Sequence, residues 1–115
     1  MKKQGEEKLL ETLEHIINGD KFASTKVVIH KINDLLLDLN LELKYLNVEL
    51  LVRGIELNKR EDIMDGIYEL EYLRDLLNPE LSIVENIAEL KKLGRFVKEH
   101  NIQSIGRIKR VYEEE

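Results

Sequence analysis

The chain has 115 residues, a net charge of −5 and no cysteine, so one domain spanning residues 1–115 is expected, and a disulfide framework, a thiolate metal site and a cysteine nucleophile are all excluded. No basic leader runs into an apolar stretch with a small-residue cleavage site, and no 18-residue stretch is free of charge. Neither a secretion signal nor a membrane span is therefore expected, and a cytoplasmic location is the default.

Leucine and isoleucine supply 32 residues, against two Phe, one Pro and no Trp, and 36% of the chain is charged. Abundant Leu, Glu and Lys, all strong helix formers, with a single Pro favour helices, so the composition predicts an all-α fold before any periodicity is considered. The same abundance of Glu, Lys and Ile without Cys suits a thermophile.

The first predicted helix runs from about Gly5 to Asn18, where Leu9, Leu10, Leu13, Ile16 and Ile17 recur at helical spacing and Gly19 marks the stop. Turn-forming residues follow, and Ser24 or Thr25 is placed to cap the next helix by accepting a hydrogen bond from a first-turn N–H. That second helix is the longest element, about Ser24 to Asn58. Locally its stretch LLLDLNLEL alternates like a strand. However, Asp38, Asn40, Glu42 and Lys44 are poor strand residues, and Ile29, Ile32, Leu36, Leu39, Leu43, Leu46, Leu50 and Leu57 step by threes and fours as a heptad seam broken only by Arg53.

Beside that seam lies a second apolar stripe, Leu37, Leu41, Tyr45, Val48, Leu51, Val52 and Ile55. Between the two run polar margins: Asn33, Asn40, Asn47 and Gly54 at seven-residue spacing on one, and Glu42, Glu49 and Glu56 on the other. The apparent alternation is two helical stripes overlaid. A helix apolar on two faces is normally buried on both. Unbroken, it would be ~50 Å long, against a diameter of about 35 Å for a compact chain of this size. Either it breaks near Asn40, Asn47 or Gly54, or the molecule is elongated and a second copy covers the second stripe. The second arrangement is the expectation, with Leu37, Leu41, Tyr45, Val48, Val52 and Ile55 as the self-association surface of a homodimer.

A third helix is predicted from about Arg60 to Leu77, ended by Asn78-Pro79. A fourth starts near Ser82, with Glu85 completing a capping box, and ends near His100. A short fifth covers about Ser104 to Glu113. The expected architecture is four-helix-bundle-like, with the long second helix at its centre and the short fifth helix at its C-terminal end.

Chemistry is sparsely signalled. His15, His30 and His100 lack a His partner at i, i+4, so no metal site is expected, and surface or capping roles suit them. Glu11/Glu14, Glu69/Glu71 and Asp62/Asp65 fit solvated faces. A di-metal centre of the ferritin-like kind would need Glu-x-x-His on two helices, and the chain has none. No glycine-rich phosphate loop and no Gly-x-Ser-x-Gly elbow occurs. Neither cofactor nor catalysis is expected.

The basic residues are segregated. Residues 1–90 hold 11 Lys/Arg against 19 Asp/Glu, whereas residues 91–112 hold seven cations (Lys91, Lys92, Arg95, Lys98, Arg107, Lys109 and Arg110) against Glu99 alone. Residues 84–112 resemble a helix-turn-helix, which would make Arg95, Lys98, Arg107, Lys109 and Arg110 a nucleic-acid-binding surface, although Ala88, Gly94 and Asn101 depart from that motif's small-residue pattern. The stretch Arg95-Phe-Val-Lys-Glu-His100 resembles the Arg-x4-His motif of HEPN ribonucleases, small all-helical dimers. The resemblance implies Arg95 and His100 as a catalytic pair, with Phe96 where that family has a polar residue.

Three functions are therefore in view. The leading one is a non-catalytic interaction or regulatory module that self-associates through its second helix. A nucleic-acid-binding regulator is the alternative, and a ribonuclease comes third.

Overall fold

The computed structural model describes residues 5–54, 59–102 and 104–114, which form five helices and, among the described residues, no strand: α1 Gly5–Ile17, α2 Thr25–Arg53, α3 Lys59–Leu76, α4 Ile83–Glu99 and α5 Ile105–Glu114. The fold is all-α. No described helix is long and apolar enough to cross a membrane.

Helix ends follow local chemistry. Asn18 adopts φ 51 after α1 and its N–H returns to the Glu14 carbonyl at 3.1 Å. Gly54 adopts φ 65 after α2 and its N–H returns to the Leu50 carbonyl at 3.0 Å. Both close a helix by the left-handed route that Asn and Gly tolerate best. The α2 helix thus ends before the expected Asn58, because the glycine's backbone terminates it.

At the end of α4, Asn101 (φ 54) lets the Ile102 N–H reach the Val97 carbonyl at 3.1 Å while both side chains are buried. This is a Schellman turn with its accompanying apolar contact. At the start of α4, Ser82 Oγ accepts from the Glu85 N–H and Glu85 Oε1 accepts from the Ser82 N–H, the expected capping box.

The α2 start differs from expectation. Ser24 makes no side-chain cap bond, and the Thr25 hydroxyl instead donates to the Leu81 carbonyl at 2.7 Å. It also accepts from Asn86 Nδ2, whose amide additionally reaches the carbonyls of Asn78, Leu81 and Ser82, while Asn86 Oδ1 accepts the Asn78 N–H. Asn86, only 2% exposed, therefore ties the α3–α4 turn to the first turn of α2, and a tertiary clasp takes the place of a local cap.

The core is aliphatic: Leu9, Leu13 and Ile17 of α1 meet Val28 and Ile32 of α2, Ile67, Leu70 and Leu73 of α3, Leu90, Leu93 and Val97 of α4, and Ile108 of α5. The helix α1 touches each of the other four, α4 lies mainly on α1, and α5 lies on α3 and α1. The expected central role falls to α1, whereas α2 packs chiefly on α3 and more lightly on α1, at one edge of the molecule. Being unbroken over 29 residues, α2 is ~43 Å long at 1.5 Å per residue. The molecule is accordingly elongated, 47 × 32 × 27 Å, with a radius of gyration of 15.6 Å against the ~13 Å of a compact chain this long.

Candidate self-association surface

Because α2 lies at an edge, only one of its two apolar faces meets the core. At 100° per residue, Val28, Ile32, Leu36, Leu39, Leu43, Leu46 and Leu50 share the face turned to α3 and α1, and each is buried or half-buried. The opposite sector holds Leu37, Leu41, Tyr45, Val48 and Val52, with Leu51 beside them. All six are exposed, from 48% at Val48 to 85% at Leu51. Leu37 to Val52 spans ~22 Å of helix. Ile55, the sixth residue of the expected surface, lies outside the described residues.

The stripe has a defined beginning. One and two turns before Leu37, the same sector carries Asp34 and His30, both exposed, with His30 Nε2 3.8 Å from Asp34 Oδ2.

Its margins are tied down by contacts to α3 and within α2 itself. On the asparagine margin, Arg74 Nη1 donates to Asn33 Oδ1 at 3.1 Å and Arg60 Nε donates to Asn47 Oδ1 at 2.8 Å. The two arginines are 14 residues apart, as are the two asparagines, so antiparallel helices bring both pairs into register together. Asn40, midway, donates to its own helix at the Leu36 carbonyl, level with Ile67 of α3. On the glutamate margin, Glu42 meets Lys59, and Glu49 Oε2 lies 3.5 Å from Arg53 Nε. Asparagine spacing was readable in the sequence. Its arginine partners were missed, although their matching 14-residue interval was the available signal.

The other sequence candidates are scattered. Arg95, Lys98, Arg107 and Arg110 are exposed, and the Lys109 side chain lies outside the described residues. Lys91, Arg95 and Lys98 share one sector of α4 at i, i+4, i+7, while α5 turns buried Ile108 toward the core and leaves Arg107 and Arg110 outside. Arg95 and His100 project about 140° apart around the α4 axis. The His100 ring stacks on Phe96 with centroids 4.0 Å apart, and its Nδ1 lies 2.9 Å from the Phe96 carbonyl. The structure therefore does not bring the Arg-x4-His pair onto one face. Among the described residues no group of three or more His, Asp or Glu is gathered as metal ligands. A pocket of about 290 Å³ lined by Leu76, Asn78, Leu81, Asn86, Glu89, Leu90 and Leu93 is at the small end of ligand cavities, and its buried amide, Asn86, is already spent on the clasp.

Comparison with protein-family models, with curated proteins and with solved structures yields no match.

Proposed function

We propose that this protein is a non-catalytic helical interaction module that forms a homodimer through the outward stripe of α2. The observation that carries the reading is the exposure together of Leu37, Leu41, Tyr45, Val48, Leu51 and Val52. At these exposures the six residues present on the order of 700 Å², close to the ~800 Å² per partner of a standard interface and above the roughly 300–600 Å² of the largest patch on an ordinary monomer.

A second copy suits this patch better than a small ligand does, because the surface is a convex helix face rather than a cavity. It is also self-complementary in length and framed by side chains already hydrogen-bonded or ion-paired within the chain. In the dimer, the four longer helices of each copy act as a bundle-like unit in which α3 and α1 back α2 and present its outward stripe. Replacing Leu41 and Val48 together by Glu tests the reading: folded monomers are expected, while loss of folding would place the stripe inside a core instead.

The alternative is nucleic-acid binding through the basic sector of α4 and the cations of α5. It is favoured by one observation, that Lys91, Arg95 and Lys98 line up without an ion pair to any described residue. That reading requires duplex binding that weakens steeply with salt and disappears on reversing the charges of Arg107 and Arg110.

A further inference from the structure

Resting on the self-association reading, we infer that the two copies pair antiparallel, with a two-fold axis passing close to Tyr45. The stripe reads Leu37, Leu41, Tyr45, Val48, Val52, with leucines at one end and valines at the other. Antiparallel helices with the two-fold between Lys44 and Tyr45 set Leu37 of one copy against Val52 of the other and Leu41 against Val48, so each layer flanking the axis combines a larger side chain with a smaller one. Leu/Val layers of equal volume on the two sides of the axis let two straight helices pack symmetrically about the Tyr45 layer to the density of a protein interior. Parallel helices would instead stack Leu on Leu at one end and Val on Val at the other, forcing the pair to taper around the Tyr45 layer.

The polar beginning of the sector points the same way. In a parallel pair, the seam would run straight on into Asp34 and His30, setting each against its own copy for two further turns. In the antiparallel pair these residues project past Arg53 and Gly54, where α2 of the other copy has ended.

At the axis the two Tyr45 rings meet on one edge, in a position to pack as an aromatic pair. The two Lys44 side chains meet on the other edge. Lys44 is exposed and lies at the rim of the sector, so its stem can lie along the apolar surface while the ammonium stays in water.

The absence of cysteine makes directed cross-linking a clean test, performed on the full chain under mild oxidation beside light scattering of the same samples. Tyr45→Cys alone is expected to give a disulfide dimer. Leu37→Cys alone is expected to give none, because its two copies would lie ~22 Å apart, beyond the reach of a disulfide. An equimolar mixture of Leu37→Cys and Val52→Cys is expected to cross-link.

A dimeric protein in which Leu37→Cys couples to itself and the mixture gains nothing would overturn the antiparallel pairing and leave self-association standing. A dimer with no cross-link at any of these positions would overturn it by moving the interface off the stripe. A protein that stays monomeric throughout overturns both readings together.

Discussion

The two faces of α2 should respond very differently to the same truncation. Ile32 is fully buried on the inward face, and Leu41 is 66% exposed on the outward one. Ile32→Ala removes three carbons, worth roughly 2.4 kcal/mol at ~0.8 kcal/mol each. A residual cavity of some ~50 Å³ at about 24 cal/mol per Å³ adds roughly 1.2 kcal/mol. The total is ~3.5 kcal/mol, equivalent to a Tm drop on the order of 10–20 °C for a domain of this size.

Leu41→Ala removes as many carbons, but only about a third of that side chain is covered within one copy. Its cost to the isolated chain should therefore stay below ~1 kcal/mol. Urea unfolding at micromolar and at hundred-micromolar protein separates the contributions. Dimerisation stabilises by mass action, so the wild-type midpoint should rise with concentration, Ile32→Ala should keep that rise from a lower baseline, and Leu41→Ala should lose it. If Leu41→Ala costs as much as Ile32→Ala in dilute solution, the outward stripe is internal core and the two-faced account of α2 is wrong.

Two more predictions test the devices that hold α2 in place. Asn86→Ala strips the Asn78 N–H of its buried acceptor, while the Thr25 hydroxyl and the Asn78, Leu81 and Ser82 carbonyls each keep one other bond, so it should cost about 1–3 kcal/mol in denaturant titrations; a loss under ~0.5 kcal/mol would mean that the clasp is not structural. At φ 54, Asn101→Gly should be neutral or slightly stabilising, whereas Asn101→Ala should cost on the order of 1 kcal/mol, and equal stability of the two variants would contradict the left-handed turn after α4.

The helices were legible because their periodicity and stop signals agree. Leu9 to Ile17, the heptad of α2, Asn78-Pro79 and the Ser82/Glu85 box each locate an element by local chemistry. The separation of α2 into two apolar stripes was legible for the same reason, since 100° per residue sorts Leu36 from Leu37 without knowledge of neighbours. Less of the tertiary arrangement could be read. Nothing local to α1 says that a 13-residue helix would touch every other helix while the longest lies at an edge, because that depends on which apolar faces find one another.

The Asn86 clasp joins residues 61 apart and displaces the Ser24 cap expected from sequence. Gly54 was one of three possible breaks, and only its backbone conformation distinguishes it from Asn40 and Asn47, both of which remain helical. The basic cluster of residues 91–112 was visible as composition, but its distribution over α4 and α5 depends on how α5 folds back onto α1 and α3.

The most direct test of the central claim is the solution mass by light scattering behind size exclusion, over a hundredfold range of concentration, for the wild-type chain and for the Leu41→Glu/Val48→Glu variant. A wild-type mass near twice 13.5 kDa, with the variant folded at the single-chain mass, is the predicted result. A wild-type chain that stays at 13.5 kDa across the whole range would contradict it.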